Sequence, residues 1–260
     1  MAQKLTLALA GNPNSGKTTL FNTLTGSRQQ VGNYPGITVD KREGIIQHHD
    51  NRLHIVDLPG TYSLTTYSQE ELVARNFLVE DKPQAVIDVL DASNLERNLY
   101  LAVQFLELGI PVVVVLNMMD EVAKRGITIK TDKLAELLGN PVVETVARTG
   151  KGKEHLLDEV VRWAEKRQDQ AWQPLSISYG SDLDPVLEKM TAVIESNDFL
   201  THRYPARWVA LKYLEEDEEI RRLGSQENED VARELEGMFE TVNNHRSEER
   251  RVGKECATGC

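Results

Sequence analysis

The run Gly11 to Thr18, GNPNSGKT, constrains this chain more than any other segment, because it stands directly after the apolar stretch Leu5 to Ala10 and directly before a helical pattern. The spacing G-x-x-x-x-G-K-[ST] between strand and helix is that of a phosphate-binding loop. Its glycines let the backbone wrap phosphates closely, and its amides and the helix N-terminus supply partial positive charge. Lys17 reaches the outer phosphates and the Thr18 hydroxyl can ligate Mg²⁺. The expected cradle is Gly11, Asn12, Pro13, Asn14, Ser15, Gly16, Lys17, Thr18 and Thr19. A Gly/Asn-rich turn joining strand and helix is the plainer alternative, and it leaves the terminal Lys-Thr pair without a reason.

The surrounding pattern fits that loop. Apolar runs at Leu5 to Ala10, Leu53 to Leu58, Ala85 to Leu90, Val112 to Leu116 and Val142 to Val146 alternate with helical periodicity. That alternation predicts a P-loop NTPase of the α/β class, a Ras-like G domain whose mostly parallel sheet carries helices on both faces. Ile37 to His48 and Leu53 to Asp57 flank His49-Asp50-Asn51 and predict an antiparallel hairpin in the same sheet. Leu95, Leu99, Ala102, Val103 and Leu106 predict one covering helix, and Leu156, Leu157, Val160, Val161 and Ala164 another. The polar stretch from Lys166 to Pro174 ends the pattern. The reading is a G domain over 1–165 and a small, mainly helical domain over 166–245. In the latter, Leu183, Leu187, Met190 and Ile194, then Trp208, Leu211 and Leu214, then Val231, Leu235, Met238, Phe239 and Val242 recur at helical spacing. The acidic run Glu215 to Glu219 is read as a solvated helix end.

Three further segments complete a nucleotide site. Asp57-Leu58-Pro59-Gly60 closes an apolar strand, where an acidic residue can hold Mg²⁺ through water and the Gly60 amide can sense a terminal phosphate. Asn117-Met118-Met119-Asp120 follows Val112 to Leu116, and a carboxylate at Asp120 accepts both the ring N–H and the exocyclic amine of guanine, a donor pair adenine lacks. Met118 stands where the usual N-K-x-D motif has Lys, and it can still pack on the ring face. Thr145-Val146-Ala147 is positioned to offer a backbone amide to the guanine oxygen, with Val146 and Ala147 assigned to the base. Thr38, in Gly32-Asn33-Tyr34-Pro35-Gly36-Ile37-Thr38, is expected to ligate Mg²⁺ only beside a terminal phosphate. Gly36, Ile37 and Thr38 thereby form a switch. Mg²⁺ is thus assigned to Thr18, Thr38 and Asp57. Where many GTPases place a water-orienting Gln after D-x-x-G, this chain has Thr61, so intrinsic hydrolysis is expected to be slow.

Composition removes other classes. A formal charge of −11 disfavours a phosphate-neutralising surface for nucleic acid. No apolar run is long enough to span a bilayer, and the start lacks a signal peptide, so the chain as written is expected to be cytoplasmic. Both cysteines, Cys256 and Cys260, lie in the last five residues, which rules out a disulfide framework. The run Arg246 to Cys256, RSEERRVGKEC, looks like the translation of a common sequencing-library adapter, and 246–260 are set apart from the fold as non-native. His48, His49 and His54 straddle the hairpin turn and are read as solvated strand residues rather than metal ligands.

Taken together, GNPNSGKTTLFNTLTG, VGNYPGITVDKREG, VDLPGTYSL, LDASNLERNLYLA and LNMMDE resemble the cytoplasmic N-terminal part of the FeoB-type bacterial ferrous iron transporters. ISYG and RYPARWVALKYLE resemble the helical domain, likened to a guanine-dissociation-inhibitor module, that follows the G domain there. The resemblance implies a GTP-binding and GTP-hydrolysing module at the cytoplasmic face of the inner membrane. Its GTP/GDP cycle would regulate or drive Fe(II) uptake by a transmembrane permease domain of the same protein. It further implies a K⁺ ion held by Asn14 and the carbonyls around Gly32 and Tyr34, in place of an arginine finger. Hydrolysis would then rest on Lys17, Thr38, Asn14 and Gly60. Tyr34 stands where Trp is common in the family, and TVARTG is a loose version of its S-A-[KR] segment. The competing reading is a soluble K⁺-dependent GTPase of ribosome assembly or tRNA modification, a class that usually carries a basic appendage where this chain is acidic. A nucleotide-responsive adaptor without turnover is the third. A homo-oligomer is among the partners the sequence allows.

Overall fold

The computed structural model describes residues 3–26, 29–34, 38–65, 68–167, 174–241 and 243. Gly36 and Ile37 of the expected switch, residues 168–173 of the expected boundary, and the tail from Arg246 lie outside the described residues. Two units are present, Met1–Leu175 and Ser176–Cys260. The division falls later than the expected 165/166 boundary. Helix α6 (Lys153–Arg167) runs through that boundary, and the Leu175 amide donates to the Leu106 carbonyl at 2.8 Å.

The first unit is built on seven strands: β1 (Gln3–Gly11), β2 (Gln29–Asn33), β3 (Asp40–His48), β4 (Asn51–Asp57), β5 (Ala85–Asp91), β6 (Val112–Asn117) and β7 (Val142–Glu144), in the order β2-β3-β4-β1-β5-β6-β7. β4, β1, β5, β6 and β7 are parallel, and β2-β3-β4 is an antiparallel meander. The parallel strands read as unbroken apolar runs because both faces are covered. On one face Leu7, Leu9, Ile87, Val89, Val113 and Val115 form a core with Leu20 and Phe21 of α1 (Lys17–Thr25) and Leu157 and Val160 of α6. By alternation Val86 and Leu90 face the other side, equally buried, where α3 (Leu95–Glu107) packs on β5 and β6. Helix α2 (Gln69–Asn76) is started by a capping box between Ser68 and Glu71. α4 (Met119–Lys124) and α5 (Thr131–Leu138) complete the unit.

The sequence pattern places no strand over Gln29–Asn33, which the structure makes β2, with Val31 opposite Arg42 and Gly32 opposite Lys41. An edge strand with a solvated face carries no apolar period, and Val31 is 69% exposed. The expected strand Ile37 to His48 begins only at Asp40.

The second unit is helical: α7 (Asp184–Ser196), α8 (Ala206–Leu214), α9 (Glu218–Glu227) and a helical run over 229–241. Leu187, Met190, Ile194, Trp208 and Leu235 are buried, and the Tyr204 and Trp208 rings stack with centroids 4.9 Å apart. Glu215 to Glu219 is the α8–α9 junction, where the Asp217 carboxylate caps α9 by accepting from the Ile220 amide at 3.0 Å. Among the described residues, no helix is long and apolar enough to cross a membrane.

Candidate functional site

The carboxyl ends of the parallel strands bring the expected segments to one edge of the sheet. Gly11 ends β1 opposite Val89, Asp57 ends β4 opposite Leu9, and Asn117 ends β6 opposite Asp91. Ligands of open α/β sheets bind at this edge. A Cβ on Gly11 would lie 2.4 Å from the Val89 carbonyl oxygen, so the loop leaves its strand along a path only glycine can take. Asn14 holds left-handed backbone (φ 68°), which Asn tolerates better than most side chains.

Helix α1 begins at Lys17, whose ammonium donates to Asp57 Oδ1; both side chains are buried. Burial pushes the Asp57 carboxyl above its ordinary range, and the Lys17 ammonium opposes that rise. Thr18 and Thr19 are exposed on the same turn. The Leu58 amide donates to the Leu9 carbonyl at 2.9 Å, continuing the ladder past Asp57. Gly60 is thereby set against the P-loop, so close that a Cβ there would touch the Pro13 Cα at 3.6 Å. Two polar atoms of the loop, Asn12 Oδ1 and Ser15 Oγ, are buried with no hydrogen-bond partner among the described residues.

Beside this loop Gly16, Thr19, Met118, Asp120, Val146, Ala147 and Arg148 line a cavity of about 290 Å³. Met118 adopts left-handed backbone (φ 62°) as it starts α4, and its side chain reaches Gly16. Asp120 is paired with Arg148 at 3.2 Å. The 145–147 segment differs from expectation. Its three amides donate within the protein, Thr145 to the Leu116 carbonyl, Val146 to the Lys151 carbonyl and Ala147 to Asn117 Oδ1, so in this conformation none is left for a base oxygen. Asn117 is likewise a strut. Its Nδ2 donates to the Ser15 carbonyl at 2.9 Å while Oδ1 accepts from Ala147.

Of the switch residues, buried Tyr34 lies near enough to Asp57 that the carboxylate adds to the upward push of burial on its hydroxyl. Gly32 lies in β2, the Tyr34 amide donates to the Val39 carbonyl at 3.0 Å with the Tyr34 ring buried, and Thr38 is exposed. Among the described residues no hydrogen bond joins Gly32, Tyr34 or Thr38 to the P-loop. Thr61 is buried.

A second cleft, of about 540 Å³, opens behind the loop between Asn12–Asn14, Tyr62 and the segment Asp91–Asn98. Here DASNLERN has a structural role that the residue types alone did not reveal. Asp91 accepts from the Ser93 amide at 2.9 Å and from the Asn94 side chain at 2.6 Å, and Asn98 returns to accept from the Asp91 amide at 3.2 Å. Arg97 lies over the Tyr62 ring, 4.6 Å from its centroid. Asp followed by Ser and Asn at a strand end is a capping signal that could have been read.

The histidines need a correction. His48 is buried, and His48 and His49 both meet Asp158 of α6, whereas His54 lies near Glu43. Strand alternation accounts for His48, which shares the buried face of β3 with Gly44 and Ile46, while His49 in the turn is exposed as expected.

Fold and site together define a P-loop nucleotide-binding G domain followed by a separate helical unit. Residues 5–160 match the family described as ferrous iron transport protein B, and residues 179–251 match the FeoB cytosolic helical domain, a match that runs past Arg246. A Porphyromonas gingivalis Fe(2+) transport protein A/Fe(2+) transporter FeoB fusion protein is 45% identical over 234 residues, covering 90% of this chain. The chain spans 27% of that relative's length. The cytosolic domain of the T. maritima FeoB iron transporter superposes in a GDP form with TM-score 0.80 at 34% identity, covering 94% of this chain and 99% of the other. In its GMPPNP form the TM-score is 0.79 at 34% identity, with 93% and 98% covered. The chain belongs to the FeoB family, of which it carries the G domain and the cytosolic helical domain.

Proposed function

We propose that this chain binds and hydrolyses GTP as the cytoplasmic module of a ferrous iron transporter, its nucleotide cycle governing Fe(II) passage through a permease domain of the same protein. The observation that carries the reading is the meeting of three segments at one sheet edge: the P-loop with Lys17, Asp57–Gly60, and the Asp120-walled cavity. One holds phosphates, the next senses their number, and the last reads the base. The GDP and GMPPNP forms of the T. maritima relative support the nucleotide assignment.

The residues present fit Mg²⁺. Thr18 is exposed on the first turn of α1, and Asp57 is a buried carboxylate paired with the neighbouring Lys17. Mg²⁺ bound there would neutralise charge on the outer phosphates. Lys17 would turn from Asp57 to the phosphates, Asp120 would orient guanine, and Thr38 would join the metal in the triphosphate state alone.

K⁺ would supply the positive charge that an arginine finger supplies elsewhere. Asn14 presents an exposed side chain at the loop mouth, and Gly32 and Tyr34 carry the carbonyls. Gly32 lies in the edge strand opposite Lys41 of β3, so a rearrangement of β2 that brings its carbonyls to the loop mouth would couple K⁺ binding to switch closure. Hydrolysis is slow until that happens. Steady-state turnover in matched KCl and NaCl tests this: faster turnover in K⁺, with the difference gone in Asn14→Ala, is expected. Equal rates remove the K⁺ assignment, and no turnover in either salt removes the enzyme assignment. Reading the gene beyond codon 245 tests transport, where a frame rich in bilayer-length apolar segments is expected.

A further inference from the structure

We propose that His48, His49 and Asp158 form a binding site for a divalent first-row transition-metal ion, separate from the nucleotide site. His48 is the last residue of β3 and His49 the first of the turn into β4. Successive strand residues point to opposite faces. His49 escapes that rule through left-handed backbone (φ 48°), which brings its ring beside that of His48, with centroids 4.3 Å apart. Both Nε2 atoms then reach the same oxygen, Asp158 Oδ1, at 2.8 and 3.1 Å. The three ligand atoms lie within 4.8 Å of one another.

Metal–ligand bonds of about 2.1 Å place neighbouring ligand atoms roughly 3–3.4 Å apart, so the two imidazole-to-carboxylate sides already stand near the metal-bound spacing and the adjustment falls on the two Nε2 atoms. Glu154, one helical turn before Asp158, sets Oε2 at 3.8 Å from His48 Nδ1, on the far side of that ring. In the metal-free chain both Nε2 atoms donate to Asp158, and a metal would take the place of those two protons, with Glu154 near enough to receive a proton moved to His48 Nδ1. His48 is buried, whereas His49 is 73% exposed, so one wall is fixed and the other admits the ion.

Two imidazoles and one carboxylate with open positions are the donor set of non-haem Fe(II) centres and suit Co²⁺, Ni²⁺ and Zn²⁺ as well. Mg²⁺ prefers all-oxygen sites and is excluded on the same chemistry. The turn lies at the opposite end of β4 from Asp57. Over seven strand residues the separation is roughly 20 Å, so this ion is distinct from any at the phosphates.

The test is an anaerobic Co²⁺ titration of the untagged chain in millimolar Mg²⁺, with Cys256→Ser and Cys260→Ser throughout so that tail thiols take no part. One equivalent giving visible d–d bands, displaced by Fe²⁺, is expected. Affinity should fall at least tenfold in His49→Ala and in Asp158→Asn, with melting temperature and binding of a fluorescent GDP analogue unchanged. His49 is solvent-facing, so its removal leaves the core intact. A folded wild-type chain that takes up no Co²⁺, or variants that bind it as the wild type does, would overturn the site.

Discussion

Asn117 Nδ2 donates to the Ser15 carbonyl at 2.9 Å, across the space that a Cβ on Gly16 would occupy, only 2.2 Å from that same nitrogen. The glycine of the phosphate loop and the asparagine of the base motif are therefore one fitted pair. The other end of the amide holds Ala147 at 2.9 Å and Thr145 Oγ1 at 3.3 Å. A single buried side chain thus fixes the phosphate loop against the base-side loop, and a motif residue usually counted as a ligand acts here through the backbone of its neighbours.

Asn117→Ala should therefore cost more than a base contact. It strands a buried carbonyl and a buried amide, each worth about 1–3 kcal/mol when unsatisfied. A melting-temperature loss of roughly 10 °C is expected, together with weaker binding of GDP and GTP alike. Asn117→Asp keeps the acceptor for Ala147 and loses the donor to Ser15, so it should fall between. Thermal denaturation of the three proteins checks the order, and an unchanged melting temperature in Asn117→Ala would remove the strut.

Asp120→Asn should exchange preference for guanine with preference for xanthine, since an amide complements the xanthine carbonyl that a carboxylate repels. Asp120 is paired with Arg148 on the cavity wall, and the loss of that exposed ion pair should cost under about 1 kcal/mol of stability. Competition of GTP and XTP for a fluorescent analogue measures the exchange; undiminished GTP preference would take Asp120 out of the base site.

Lys17→Ala and Thr18→Ala should weaken triphosphate binding and hydrolysis by loss of charge neutralisation and of a Mg²⁺ ligand. Thr38→Ala should behave differently. Thr38 is exposed and makes no hydrogen bond to the P-loop among the described residues, so GDP affinity should be untouched and only the triphosphate state affected. Equal losses of GDP and GTP affinity in Thr38→Ala contradict the switch assignment.

The parallel strands and the three nucleotide segments were legible because each couples a residue type to a periodic context: GNPNSGKT after β1, Asp57 after β4 and Asn117 after β6. What stayed hidden depended on neighbours distant in sequence. β2 has no apolar period, since its pairing comes from backbone alone, and the amides of Val146 and Ala147 are claimed by Lys151 and Asn117, which no local pattern announces. His49 is solvated as read, but His48 continues the buried face of Gly44 and Ile46, and the left-handed turn that sets the two rings side by side has no signature in residue type.

Asp88 was equally invisible in the apolar run AVIDVL, and it yields a pH prediction. It sits in the middle of β5 with no exposed surface, and neither carboxyl oxygen has a hydrogen-bond partner among the described residues. Burial alone pushes its pKa up to about 8 from an ordinary value of 3.8. The folded chain therefore keeps a proton that the unfolded chain gives up. Its contribution to stability is fully present below the ordinary carboxylate range, declines as pH rises through the interval up to about 8, and levels off above it. An amide of the same shape does not ionise, so Asp88→Asn should remove this decline. Other carboxylates titrate too, among them Asp158 and Asp184, both held below their ordinary range by hydrogen bonds, but they are common to both proteins and cancel in the difference. Melting temperatures measured from about pH 4 to about pH 9 should show the two chains close together at the acid end and the variant several degrees higher at the alkaline end. Parallel curves across the range would mean that Asp88 finds a partner on ionising, and that the carboxyl is not held neutral by the core.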